Sequence, residues 1–163
     1  MTNNLILIAI ISIFLTGCVS STPEEMTTEY IEVTNSIEGT PRVAVVGSNE
    51  RLITNEAIKL AVEKSISNAG LFTDNERVIR INLSVLAIEN PLFGGSLTSE
   101  IRIRWQLYDE AEEVSLFESV VASEYTATIG DAFVGAQRMK MANDGAIREN
   151  IKIALEKISR EVK

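Results

Sequence analysis

Thr98-Ser99-Glu100-Ile101-Arg102-Ile103-Arg104-Trp105-Gln106-Leu107-Tyr108 alternates along most of its length. Ile101, Ile103, Trp105 and Leu107 point one way, and Glu100, Arg102, Arg104 and Gln106 the other. Such a period of two makes a strand in a sheet with one buried and one wetter face. Residues 78–88 repeat the pattern, with Ile79, Ile81, Leu83, Val85 and Ala87 as the apolar row and Arg80, Asn82 and Ser84 among the polar positions. Between the two lies Asn90-Pro91-Leu92-Phe93-Gly94-Gly95-Ser96, a hairpin loop punctuated by Pro and Gly. After the second strand, Asp109-Glu110-Ala111-Glu112-Glu113 is an acidic turn. A third strand, 114–127, alternates less well: Leu116 and Val120 oppose Phe117, Val121 and Tyr125. A bulge near Ser119, or burial on both faces, reconciles them.

Outward from these strands the pattern becomes helical. Residues 54–69 carry Ile58, Ala61, Val62, Ile66 and Ala69 at steps of three and four, with Thr54 or Asn55 to cap the start and Gly70 to end the helix. Before it, Arg42-Val43-Ala44-Val45-Val46-Gly47 reads as a strand covered on both faces or nearly so. The chain closes with a long helix, 132–162, for which Asp131 is the candidate cap. Its stripe is Ala136, Met139, Ala142, Ala146, Ile147, Ile151, Ala154, Leu155, Ile158 and Val162. The first half of the stripe is small and holds Gly135 and Gly145, each weaker than Ala by about 1 kcal/mol, so that half is expected to fray or lean on another surface. The apolar rows of strands and helices can only cover one another. The expected fold is an α/β (α+β) two-layer sandwich in βαβββα order, a four-stranded, mostly antiparallel sheet with two helices on one face and the first strand parallel to a neighbour.

The N-terminus carries a different signal. Residues 5–15 (LILIAIISIFL) are apolar and uncharged, and Leu15-Thr16-Gly17-Cys18 closes the run. An apolar region of this length, ended by small residues, reads as a secretory signal; a bilayer span needs about 20 apolar residues. The closing tetrad resembles the bacterial lipobox. The resemblance implies a diacylglyceryl group on the Cys18 thiol, cleavage just before it and acylation of the new amine. The n-region, Met-Thr-Asn-Asn, departs from the usual pattern in lacking Lys and Arg. Residues 1–17 are then a signal peptide, 18–41 a Ser-, Thr- and Glu-rich lipidated tether bracketed by Pro23 and Pro41, and 42–163 a single domain. Val19, where Asp is absent, fits lipoproteins that enteric-type bacteria pass to the outer membrane; the plasma membrane is the site if the source is Gram-positive.

Composition narrows the chemistry. The chain of 163 residues has 15 basic and 23 acidic side chains, a formal charge of −8, no His, and Cys18 as its single Cys. An acidic balance argues against nucleic acid, whose binding depends on cations neutralising phosphates. With Cys18 acylated, no thiol remains for a disulfide or a metal, and no cofactor or metal site is expected. Nucleophilic catalysis that relies on His is excluded by its absence. Carboxylate chemistry stays possible in principle, but no organised pair is visible, and no catalytic residue is assigned.

Together, the lipobox, the tether and the βαβββα order resemble small outer-membrane assembly lipoproteins, such as the lipopolysaccharide-assembly lipoprotein LptE and the ABC-transport auxiliary lipoproteins. Besides the lipobox, Arg42-Val43-Ala44-Val45-Val46 and the helix around Arg148-Glu149-Asn150-Ile151-Lys152-Ile153-Ala154-Leu155 carry the likeness. It implies a non-enzymatic accessory or assembly factor, held to the membrane by acyl chains on Cys18 and binding an envelope protein or lipid. The expected partner surface is Phe93 on the hairpin loop with Arg102 and Arg104 on the wet face, where Arg80 joins them if the strands pair as a hairpin. Arg forks suit acidic or phosphate groups, and an aromatic beside Arg suits a binding hot spot. A solvated face and a loop tip folded back on the domain are the plainer readings. A small carboxylate-dependent hydrolase or glycan-modifying enzyme is the alternative function.

Overall fold

The computed structural model describes residues 20–48, 53–91 and 94–162. Its elements are α1 (Pro23–Met26), β1 (Ile37–Val46), α2 (Asn55–Ala69), β2 (Phe72–Glu89), β3 (Leu97–Asp109), β4 (Val114–Ala127) and α3 (Gly135–Glu161). The strands form one sheet in the order β1-β2-β3-β4, with β1 parallel to β2 and the other pairs antiparallel. Helix α2 packs on β1 and α3 on β3 and β4, so the two helices share one face and the other face is open. The expected two-layer sandwich and strand order are present.

Local chemistry sets the ends of α2. Thr54 Oγ1 accepts from the Ala57 N–H at 3.1 Å, and Gly70 takes the left-handed conformation at φ 61° that a residue with a Cβ adopts at a cost. Long α3 starts later than its pattern suggested. Asp131 does not cap it: its carboxylate accepts from the Thr128 N–H and hydroxyl, both at 2.8 Å, and so closes the preceding turn.

Two bulges correct the expected alternation. On β2 the register steps past Leu86, so Ile88, not Ala87, continues the inward row opposite Ile101. On β4 the irregularity lies at Leu116 and not near Ser119; beyond it Phe117, Val121 and Ala127 are buried. Each bulge flips one neighbour, which is how one extra residue restores an odd apolar row to the core. Strand β1 begins at Ile37, five residues before the expected start. It can hold Pro41 because an edge strand leaves backbone N–H groups unneeded by the ladder.

Residues 20–36 also differ from the expected free tether. They lie as a strap over both helices. Met26 is fully buried, Thr27, Thr28 and Ile31 are buried, and Ile37 leads into the sheet. The Thr28 N–H donates to Ser65 Oγ of α2 at 3.1 Å, and Arg148 of α3 donates to the Glu25 carbonyl at 3.0 Å. Farther along, the Asn35 N–H and side-chain amide donate to the Ser159 carbonyl at 3.1 and 3.0 Å, near the end of α3. The strap therefore runs parallel to α3.

The weak half of α3 is held by this strap and by β4. Ala136 is exposed, contrary to the expected stripe, while Arg138, Lys140, Asn143 and Asp144 are buried. Gly145 sits directly under the Tyr125 ring, where a Cβ would fall inside van der Waals contact with three ring carbons. Tyr125 is thus partly exposed against the helix and not in the central core. Helix propensity alone favours Gly145→Ala by about 1 kcal/mol. The expected outcome in denaturant titration is the reverse, a loss of stability in the native chain and a gain when Tyr125→Ala has first removed the ring. Stabilisation in both backgrounds would mean the ring does not press on the helix.

Candidate functional site

The open face of the sheet is the candidate interaction surface. It is formed by the polar rows of β2, β3 and β4, and Arg102 and Arg104 lie on it two residues apart on β3. Each is already paired. Arg102 Nη2 is 2.8 Å from Glu89, and the Arg104 Nε is 3.8 Å from Glu118, with all four side chains substantially exposed. Surface pairs of this kind contribute little to stability and exchange readily for a partner's charge. The expected cluster with Arg80 does not form. Arg80 stands opposite Tyr108, four residues along β3 from Arg104, which is about 13 Å at 3.3 Å per residue. Phe93 and Cys18 lie outside the described residues.

Arg80 belongs to a feature that the sequence reading missed. Its guanidinium sits 5.8 Å from the Tyr108 ring centroid and 2.7 Å from Glu110. With Asn82, Gln106, Glu113 and Glu118 these residues line a shallow polar groove of about 560 Å³ at the acidic-turn end of the open face. Here Glu110 and Glu113 wall the groove, and Glu113 holds a left-handed φ of 55°. The signal available in the sequence was the pairing of 78–88 with 98–108, which sets Arg80 beside Tyr108 once the register is known.

Asp109 shapes that turn. It is buried; Arg77 donates to it at 2.6 Å and the Ala111 and Glu112 N–H groups at 2.8 and 3.2 Å. Burial pushes its carboxyl up, but the bonds from Arg77 and the two backbone N–H groups outweigh this and hold it below the usual 3.8. At the opposite end of the domain Lys140 lies between Asp144, at 2.8 Å, and Glu25 of the strap. Burial pushes Asp144 up, more than its contact with Lys140 pulls it down. Burial lowers Lys140, yet its two carboxylate partners hold it above the usual 10.5. These are structural pairings. Among the described residues, no three of His, Cys, Asp or Glu group as metal ligands.

No family model matches the sequence, and no curated relative matches it. Solved structures share the fold. A candidate lipoprotein of Caulobacter crescentus CB15 superposes with a TM-score of 0.51 at 10% identity, over 72% of this chain and 88% of its own. A minor lipoprotein of Acinetobacter baumannii superposes with a TM-score of 0.51 at 8% identity, over 76% of this chain and 92% of its own. At such identities the likeness is one of fold.

The Asp109 pairing gives a pH test. Because its folded value is depressed, its contribution is present above the unfolded value of 3.8 and is lost as pH falls through the folded one. Asp109→Asn should lower the thermal midpoint near neutral pH. That gap should narrow as pH is brought below about 4, where the native carboxyl also protonates. An unchanging gap from neutral pH to strong acid would show that the carboxylate charge contributes nothing.

Proposed function

We propose that this protein is a non-enzymatic envelope lipoprotein, anchored through acyl chains on Cys18 to the periplasmic face of the outer membrane, that uses its open sheet face to bind an envelope partner. The observation that carries the reading is the asymmetry of the sheet. Two helices and the strap cover one face, while the other presents ordered Arg, Tyr and Glu side chains with no element over them. Such a face offers a flat, charge-patterned surface with two shallow depressions, the Arg80–Tyr108 groove and a smaller one of about 290 Å³ lined by Glu100, Arg102 and Glu124. The lipobox at Leu15 to Cys18 supports the anchor, and the fold shared with the two lipoproteins is consistent with it.

The alternative, a hydrolase with a carboxylate pair, requires two carboxyls within about 5–10 Å. The buried carboxylates Asp109 and Asp144 are far from that, and the nearer pair, Glu25 and Asp144, has Lys140 bonded between its members. Asn143, beside Asp144, bonds Ser99 near the start of β3, and Asp109 ends the same strand ten residues on, about 33 Å away. Both are also engaged by cations.

Cys18→Ala should leave an uncut or mislocalised precursor, whereas the native protein should fractionate with membranes and carry acyl mass on Cys18. An unmodified Cys18 in the mature protein would remove the anchor. For the binding face, Arg102→Ala with Arg104→Ala should weaken partner crosslinking in native membranes and leave the thermal midpoint nearly unchanged, since exposed pairs contribute only about 0–1 kcal/mol. Undiminished crosslinking in that variant, and in Arg80→Ala with Tyr108→Ala, would show that the partner binds elsewhere.

A further inference from the structure

The end of the domain that receives the N-terminus also carries a cluster of exposed apolar side chains. In the β4–α3 loop, Phe133 is 89% exposed, Val134 57% and Ile129 54%. This loop is ordered. Arg138, itself only 8% exposed, donates to the Ala132 carbonyl at 2.9 Å and the Phe133 carbonyl at 2.7 Å, and reaches the Gly94 carbonyl of the β2–β3 loop at 3.5 Å. Asp131 closes the turn before it, and Ile129 rests near Gly95. A buried guanidinium thus stitches two loops together at the backbone while the apolar side chains project outward. Apolar side chains gathered on a fixed loop mark an interaction site.

The strap identifies what covers them. It runs parallel to α3, so that tracing it backward leads from Asn35 beside Ser159 to Glu25 beside Lys140 and Ser21 beside Asp144. Traced back from Asn35 to Ser21, the strap therefore leads from the end of α3 to its first half, and Phe133 and Val134 lie at the start of that half. Asp144 is ten residues along the helix from Val134, about 15 Å at 1.5 Å per residue. From Ser21 to Cys18 is three residues, a reach of about 10 Å. An acyl chain on Cys18, held within that reach of Ser21, can therefore extend to the apolar loop. The charge of −8 disfavours attraction to an anionic surface, so the contact is apolar.

We infer that the Ile129–Phe133–Val134 loop is a second membrane contact, seating this end of the domain in the interfacial layer of the bilayer that holds the Cys18 lipid. The inference rests on the anchor proposed above. An acyl chain and an inserted loop are two signals on one rigid end, which fixes orientation as well as attachment. The loop adds to the anchor through effective concentration, since the lipid holds it within reach of the surface.

The test uses the full-length, lipidated protein. Acylation consumes the native thiol, so Phe133→Cys supplies the free one for an environment-sensitive fluorophore, with Ile129→Cys as a second site and Val120→Cys on the open sheet face as the control. The proteins are reconstituted in phosphatidylcholine vesicles containing lipids with a nitroxide high on the acyl chain. The expected result is a blue-shifted emission at 133 and 129, quenched at least threefold more than at 120. Equal, water-like emission at all three positions in protein that floats with vesicles and carries acyl mass would overturn the loop contact and leave the anchor standing. Protein that fails to float and shows an unmodified Cys18 would overturn both. A blue shift at 133 that is already present without lipid and grows with protein concentration would assign the loop to self-association and also overturn the membrane contact.

Discussion

Asn150 fixes how the long helix meets the sheet. It is fully buried, and its Oδ1 accepts from Trp105 Nε1 of β3 at 3.0 Å. Its amide donates to the Val121 carbonyl of β4 at 2.9 Å and to Ser123 Oγ at 3.1 Å. Ser123 in turn donates to the Ala146 carbonyl of the helix at 2.8 Å, and Ser99 donates to Asn143 at 2.6 Å one turn nearer the loop end. The burial of Ile147, Ile151, Leu155 and Ile158 supplies the larger free energy, about 1.5–3 kcal/mol each as an upper estimate. Burial does not choose between neighbouring rotations of a helix on a sheet. A buried indole N–H left without its acceptor costs about 1–3 kcal/mol, so a wrong rotation is penalised where the apolar stripe alone would permit it.

The same logic governs the other end of the helix, with charge in place of amide. Small residues there let Tyr125 and the strap come close, and Lys140 answers two carboxylates from two different elements. A buried ion pair is weak evidence for stability, because desolvation offsets much of the attraction. Losing one partner would strand the others, which makes Lys140 a registration device between strap, helix and Asp144. Asp144 and Glu25 respond oppositely to acid. Burial raises the first, so that its contribution favours the fold as pH falls; Lys140 and Thr22 hold the second below its usual 4.5 against burial, so that its contribution fades.

What was legible in the sequence was whatever repeats. The Ile101-to-Leu107 alternation, the Ile58-to-Ile66 face and the Thr54 and Gly70 ends predict β3 and α2 closely. The bulges at Leu86 and Leu116 were less legible because a single inserted residue breaks a period of two without a composition change of its own. The strap was misread as a tether because its anchors, Met26, Ile31 and Ile37, fall at five and six residues apart among polar ones, a spacing that belongs to neither helix nor strand. On α3, the burial of Lys140 and Asn143 was not legible because their partners Glu25 and Ser99 come from elements far away in the chain. The exposure of Arg102 and Arg104 was legible from the alternation; that Arg80 pairs with Tyr108 and Glu110 in a groove needed the register.

Correcting the tether changes what the fold can do. A long flexible leader would let the domain tumble and offer any face to the membrane. A strap bonded to both helices leads the chain, traced toward the N-terminus, to Ser21 beside the first half of α3, so the anchor proposed at Cys18 is within three residues of that end of the domain. Strand β3 runs from that end to the acidic turn over 13 residues, about 40 Å at 3.3 Å per residue. The groove around Arg80 and Tyr108 lies at its far end. If the near end sits on the lipid as proposed, the groove stands roughly a strand's length from the bilayer, where surface potential has decayed over several screening lengths of about 8 Å each. In that proposed orientation the open sheet face is turned to the aqueous space and not to the membrane, a consequence of the strap lying along the covered helical face.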